Sequence, residues 1–264
     1  MDRSIVLNYY SLGASYILVV IILILLKLKG IKREKLLLIS SLRMSLQLVA
    51  VGFILEYFFG LNNPILNICI YIFMLLFSSY TIIKNSGAKI TLRGFNLIFV
   101  AMLLGSSITL FIIFFIIISP DPILDARYFI PITGMLLGNS MTGVTLAVRT
   151  LHQKSKDNKD QIFTSLCLGA SKKDSIKFLD KEIFDMSFVP TLNSMLGMGI
   201  VFLPGMMTGQ IISGESPLNA IIYQIVIMFG IVGSVTLSIV SITFGSEKLI
   251  FDKSGKFIFL DSLS

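Results

Sequence analysis

The chain has 264 residues, 55% of them hydrophobic and only 14% charged, with a formal net charge of +7. That balance excludes a soluble domain of this size and describes an all-α polytopic membrane protein. The excess charge does not mark a nucleic-acid partner, because lysine and arginine are concentrated in alternate connections between apolar runs.

Seven stretches approach the roughly 20 residues that a spanning helix needs: 7–26, 36–59, 64–83, 95–118, 129–148, 188–212 and 218–244. The first is followed, not preceded, by Lys27, Lys29, Lys32, Arg33 and Lys35. It therefore reads as a retained helix rather than a cleaved signal peptide. The second carries Arg43 and, one turn on and on the same face, Gln47. A cation inside a span is a functional candidate. Arg43 lies about 10 Å from the basic end at 1.5 Å per residue, so snorkelling explains it equally well.

Lys84, Lys89 and Arg93 follow the third span, and Cys69 lies within it. Cys167 belongs to a later loop, so a disulfide is not expected. His152 is the single histidine, and a His/Cys metal cage cannot be built from this chain alone. The fifth span concentrates small and polar residues: Pro131, Gly134, Gly138, Asn139, Ser140, Thr142 and Gly143. Gly134 and Gly138 form a Gly-x-x-x-Gly pair that lets helix backbones approach closely.

A basic loop, 149–186, comes next. Residues 153–161 read as a solvated linker. Ile162, Phe163 and Leu166 then sit at helical spacing, and Gly169 follows as a C′ residue. Ser171 with Asp174 makes a capping-box-like pair, and Ile176, Leu179 and Ile183 continue a second helix. This helix, glycine elbow and helix fit a docking element for a partner, and fit an amphipathic pair lying on anionic headgroups.

The sixth span holds Pro190, Asn193, Ser194, Gly197 and Gly199, then Leu203-Pro204-Gly205-Met206-Met207-Thr208-Gly209-Gln210. Proline removes a backbone donor, so such a break must be sheltered by other helices or line a cavity. Residues 203–210 are the first place to look for a transport path. Gly205 and Gly209 form a second close-approach pair, expected to meet the fifth span or a symmetry mate. Asn139, Asn193 and Gln210 would be interior polar groups, for which interhelical hydrogen bonds are the plainer account. Met135, Met141, Met195, Met198, Met206 and Met207 are dense enough to suggest a soft metal, although methionine is also the usual gap-filler.

The seventh span contains Gln224, and 246–264 form a short tail. By the charge bias of the loops, the N-terminus lies outside and the C-terminus in the cytoplasm. No Gly-x-x-x-x-Gly-Lys-[Ser/Thr] loop occurs, so the chain does not bind ATP by that route and is not expected to be an enzyme.

Three runs resemble one family. Leu42-Arg43-Met44-Ser45-Leu46-Gln47, Ile130-Pro131-Ile132-Thr133-Gly134-Met135-Leu136-Leu137-Gly138-Asn139, and Leu203-Pro204-Gly205-Met206-Met207 with Tyr223-Gln224 downstream are similar to FetB-type ABC transporter permeases. The resemblance spans about residues 36 to 245. It implies one transmembrane permease domain, 1–264, in the cell membrane, pairing with a second copy and with a cytoplasmic ATPase that binds ATP and magnesium. The family is associated with export of iron or other metals, and a metal site in this chain is unknown.

Leu166, Leu168, Gly169, Ala170 and Ser171 resemble the Leu-Gly-Ala turn that ABC permeases insert into their ATPase. Spans five and six would then line the path, with Asn139, Asn193, Pro204, Gly205, Met206, Met207 and Gln210 along it. The intramembrane polar residues Arg43, Gln47 and Gln224 complete the candidates. The alternatives are a secondary transporter, for which only Arg43 speaks, or a membrane adaptor that recruits a partner without transporting.

Overall fold

The computed structural model describes residues 9–61, 63–88, 90–252, 256 and 258. Residues 7 and 8 of the first expected span, Lys89, and most of the tail beyond Asp252 lie outside the described residues. Two units separate, residues 1–63 and 64–264.

The first unit is a helical hairpin of α1 (Tyr9–Leu28) and α2 (Glu34–Leu61). Gly30, at φ 66°, ends α1, with its N–H donating to the Lys27 carbonyl and that of Ile31 to Leu26. This is the left-handed stop that a residue with a side chain adopts only under strain. The Tyr16 hydroxyl and Ser45 Oγ, 2.7 Å apart, join the two helices. Their aliphatic side chains are otherwise exposed, as suits helices solvated by lipid.

The second unit is a bundle of α3 (Pro64–Ser86), α4 (Leu92–Ile112), α5 (Ala126–Asp157), α7 (Asp180–Gly197) and α9 (Pro217–Phe244). Shorter pieces are α6 (Lys159–Cys167), α8 (Gly205–Ile212) and α10 (Glu247–Ile250). Sequence-local caps set the starts: Thr91 accepts from the Gly94 N–H, Asp125 from Arg127, and Ser216 from Asn219 with Pro217 in the first turn. A π-helical turn, Ile113–Ile117, extends α4.

In lipid the hydrophobic effect cannot drive helices together, so the bundle closes by small-residue packing and hydroxyl contacts. A Cβ on Gly105 would lie 2.1 Å from Ser238 Oγ and 2.7 Å from the Ser234 carbonyl oxygen, so α4 and α9 meet nearly backbone to backbone. Buried Ser140 on α5 and Ser234 on α9 pair at 2.8 Å, and Tyr71 on α3 reaches Ser106 and Ser107 on α4 at 2.7 Å each. Leu75, Ile98, Ile132, Leu136, Ile227 and Val235 fill the space between.

Six helices are long and apolar enough to cross a membrane: α1 to α5 and α9. The remaining expected span, 188–212, is not one helix. Helix α7 stops at Gly197, the chain crosses Met198–Pro204 in a turn outside any helix, and α8 follows. The expected solvated linker at 153–161 also differs. Helix α5 runs on to Asp157, and Asn158 is the only residue between it and α6. Leu151 and Ser155 stay buried past the apolar span, which gives the polar extension a packed side to continue on.

Candidate functional site

The elbow between α6 and α7 is built by local chemistry. Gly169, at φ 94°, donates to the Leu166 carbonyl, and Ala170 N–H donates to Ser165, each at 3.0 Å. Together these bonds close the last turn of α6 and aim the chain back. Ser171 Oγ accepts from the Asp174 N–H at 3.1 Å and donates to the Asp174 carboxylate at 2.5 Å, opening the 3-10 turn Asp174–Leu179.

Ile162, Ile176 and Leu179 are buried beneath, and Leu166 packs against that core. Leu168 stands out at the tip, 84% exposed. A Lys154–Glu182 ion pair ties the end of α5 to the start of α7. Asp180, at the junction, has one carboxylate oxygen buried with no partner among the described residues. Burial holds its pKa above the usual carboxylate range, against the opposing pull of Lys173 and Lys177.

A raised pKa means the folded chain binds more protons, so ionising Asp180 costs stability as pH climbs through that window. Asp180→Asn should flatten the dependence and raise the melting temperature modestly at neutral pH but not at mildly acidic pH. Thermal unfolding in detergent at both pH values checks this.

The interruption in the sixth stretch begins earlier than the proline. Gly199, at φ 83°, donates to the Phe202 carbonyl at 2.9 Å, and Met198 and Phe202 form an isolated bridge. Pro204 does not break a helix from inside. It caps α8, where its carbonyl accepts from the Thr208 N–H at 3.0 Å and from Thr208 Oγ1 at 3.1 Å. Proline at that place loses no helical bond, because the first turn has no carbonyl to donate to.

The other sequence candidates separate into groups. Asn139 on α5 is exposed, its Nδ2 donating to the Met135 carbonyl at 2.8 Å, and Asn193 on α7 is also exposed. A Cβ on Gly143 would come within 3.7 Å of the Ser187 carbonyl, and α7 runs back along α5, which puts Asn139 near the level of Asn193. Gln210 on α8 is half-buried, with Oε1 unpartnered among the described residues, and Gln224 on α9 is buried. Arg43 and Gln47 are exposed on α2, within the first unit.

The close-approach glycines do not meet one another inside the chain. A Cβ on Gly138, Gly205 or Gly209 would meet nothing within 4 Å, and one on Gly134 only Met74 Cε at 3.4 Å.

The methionines of the fifth and sixth stretches sit against the packed core. Met207 is 6% exposed, and Met135, Met141, Met195, Met198 and Met206 all lie against the core. No cluster of three His, Cys, Asp or Glu side chains that could hold a metal occurs among the described residues. Met206→Leu combined with Met207→Leu is therefore expected to leave transport intact in a flux assay.

Two features escaped the sequence reading. Asn139, Thr142, Arg149 and Gln153 are exposed along one stripe of α5, a 3-7-4 spacing that a helical count of polar positions would have found. Tyr223, beside Tyr128 with ring centroids 6.3 Å apart, has a buried hydroxyl without a partner among the described residues. No sequence signal distinguishes that tyrosine from an interfacial one.

The model of the uncharacterised protein family UPF0014 matches residues 9–251. The chain belongs to that family. Among its UPF0014 relatives, the Bacillus subtilis membrane protein YjkA is 35% identical over 234 residues, 89% of this chain and 92% of YjkA. Protein ALUMINUM SENSITIVE 3 of Arabidopsis thaliana is 34% identical over 232 residues, 88% of this chain and 83% of its own. The probable iron export permease protein FetB of Escherichia coli is 32% identical over 228 residues, 86% of each chain. No solved structure matches. The UPF0014 assignment agrees with the six membrane-capable helices, and the chain is a multi-pass membrane protein.

Proposed function

We propose that this UPF0014 protein is the permease subunit of an ABC transporter, exporting iron or another metal with energy from a separate cytoplasmic ATPase. The observation that carries the reading is the elbow. A leucine 84% exposed sits on a rigid glycine turn, supported by buried Ile162, Ile176 and Leu179, between two helices of the bundle. An exposed apolar tip on a rigid base suits insertion into a partner's groove better than contact along a headgroup surface, which favours a continuous apolar stripe. The relative named as a probable iron export permease supplies the transport class and the metal.

A second copy of the chain completes the site in this reading. Asn139 is exposed on α5, one of the membrane-capable helices, with Asn193 exposed near its level on α7, and lipid contact with an amide is unfavourable. The open glycine surfaces at 138, 205 and 209 allow a facing helix to come close. The path then runs between the two copies along the α5 stripe. ATP and magnesium belong to the partner, and this chain contributes no catalytic residue.

Motion at Gly169 would reach the path through α7, held to α5 by the Lys154–Glu182 pair, and be absorbed at Met198–Pro204. Affinity purification of the tagged chain from its own cells in mild detergent tests the reading. The expected result is co-purification of a nucleotide-hydrolysing subunit. Its absence, with the chain intact and folded, would contradict the proposal.

A further inference from the structure

We propose that the cavity between α4 and α10, at the lysine-rich end of the bundle, binds the phosphate of an anionic phospholipid from the adjoining leaflet. The cavity has a volume of about 510 Å³ and is lined by Arg93, Asn96, Leu97, Val100, Glu247 and Lys248. A second hollow of about 450 Å³ shares Arg93 and Asn96 and adds Thr91, Leu92 and Asp252. The inference does not depend on the permease reading, since none of these residues belongs to the elbow or the path.

Three properties point to a lipid. Arg93, on the second residue of α4, and Lys248 are exposed and have no ion pair among the described residues, so both cations are available to an anion. Arg93 and Lys248 against Glu247 leave one net positive charge at the larger cavity, which fits the single negative charge of a phosphodiester better than a dianion. Asp252 lines the neighbouring hollow rather than this one, and its carboxylate accepts from the Lys256 N–H at 2.9 Å.

Below the polar mouth the same face of α4 is apolar and open. Val100, Leu104 and Ile108 are 45%, 46% and 44% exposed, spaced one turn apart. From Arg93 to Leu104 is a rise of about 16 Å at 1.5 Å per residue. That is about half the roughly 30 Å hydrocarbon core, the length of one leaflet's acyl chain. Basic hollows between helices at this depth are where anionic headgroups seat. A free phosphate shares the headgroup chemistry but gains nothing from the apolar track.

The test is native mass spectrometry of the purified chain in neutral detergent. The probes are dioleoylphosphatidylglycerol, dioleoylphosphatidylcholine and inorganic phosphate. Phosphatidylglycerol is expected to bind on the order of tenfold more tightly than phosphatidylcholine, with inorganic phosphate failing to displace it. Arg93→Gln combined with Lys248→Gln should abolish that preference. Lys32→Gln with Lys35→Gln, at the connection from α1 into the first turn of α2, should preserve it. Both pairs are exposed, so folding is not at stake. Equal binding of the two lipids, retention of the preference by the Arg93/Lys248 variant, or displacement by inorganic phosphate would each overturn the proposal.

Discussion

Gly169→Asp is expected to strip the ATPase subunit from the chain while leaving the bundle folded in the membrane. Two effects act together. At φ 94° a side chain strains the backbone, by about 1–2 kcal/mol for a left-handed L-residue, and loosens the turn that holds Leu168. The new carboxylate also charges an apolar tip. A Cβ there meets no atom within 4 Å, so beyond that local strain at the elbow the packing of the bundle should be unchanged. Retention of the ATPase should fall by about tenfold or more, a loss of about 1.4 kcal/mol. Leu168→Asp, which keeps the glycine turn, should do the same. Co-purification measures both, and unchanged recovery with either variant would remove the elbow from the docking surface.

Gly105→Leu is expected to destroy the fold itself. The first carbon alone would sit 2.1 Å from Ser238 Oγ and 2.7 Å from the Ser234 carbonyl, and the second of these is backbone of α9. Side-chain rotation cannot relieve that contact, so α4 and α9 must separate. Even Gly105→Ala should cost at least the 1–3 kcal/mol typical of overpacking. Gly138→Ala is the matched control, because that position is open in the single chain. The expected outcome, in a detergent that keeps the chain monomeric, is a large loss of melting temperature for Gly105→Ala and none for Gly138→Ala. Equal behaviour of the two would contradict the backbone-to-backbone packing of α4 on α9.

Run length made most of the bundle legible. A helix that must satisfy its backbone in lipid needs a long apolar run, so six of the seven expected stretches are single helices. The Gly169 stop and the Ser171 cap were equally readable, because both are local hydrogen-bonding devices encoded within five residues. The break at Met198–Pro204 was misplaced because Pro204 was the louder signal, while the turn is made by Gly199 and the Gly197 carbonyl, five and seven residues earlier. A proline is equally compatible with ending a helix and with starting one.

The continuation of α5 to Asp157 was hidden by charge. Its polar turns are kept helical by burial of Leu151 and Ser155, a tertiary effect that composition does not show. Nor does small-residue content say which glycines are already used. Gly105 and Gly143 are packed within the chain and Gly138 is not, although all three lie in similar surroundings in the sequence.

In the proposed reading, ATP hydrolysis in a partner drives a metal across the membrane through two copies of this chain. Metal flux and ATP hydrolysis in vesicles reconstituted with the chain and its ATPase test it most directly. The expected result is hydrolysis stimulated by iron or another metal, coupled to its accumulation and lost with Gly169→Asp. Flux that persists without nucleotide would indicate a secondary transporter. A stable complex in which no metal stimulates hydrolysis or crosses the membrane would contradict the account.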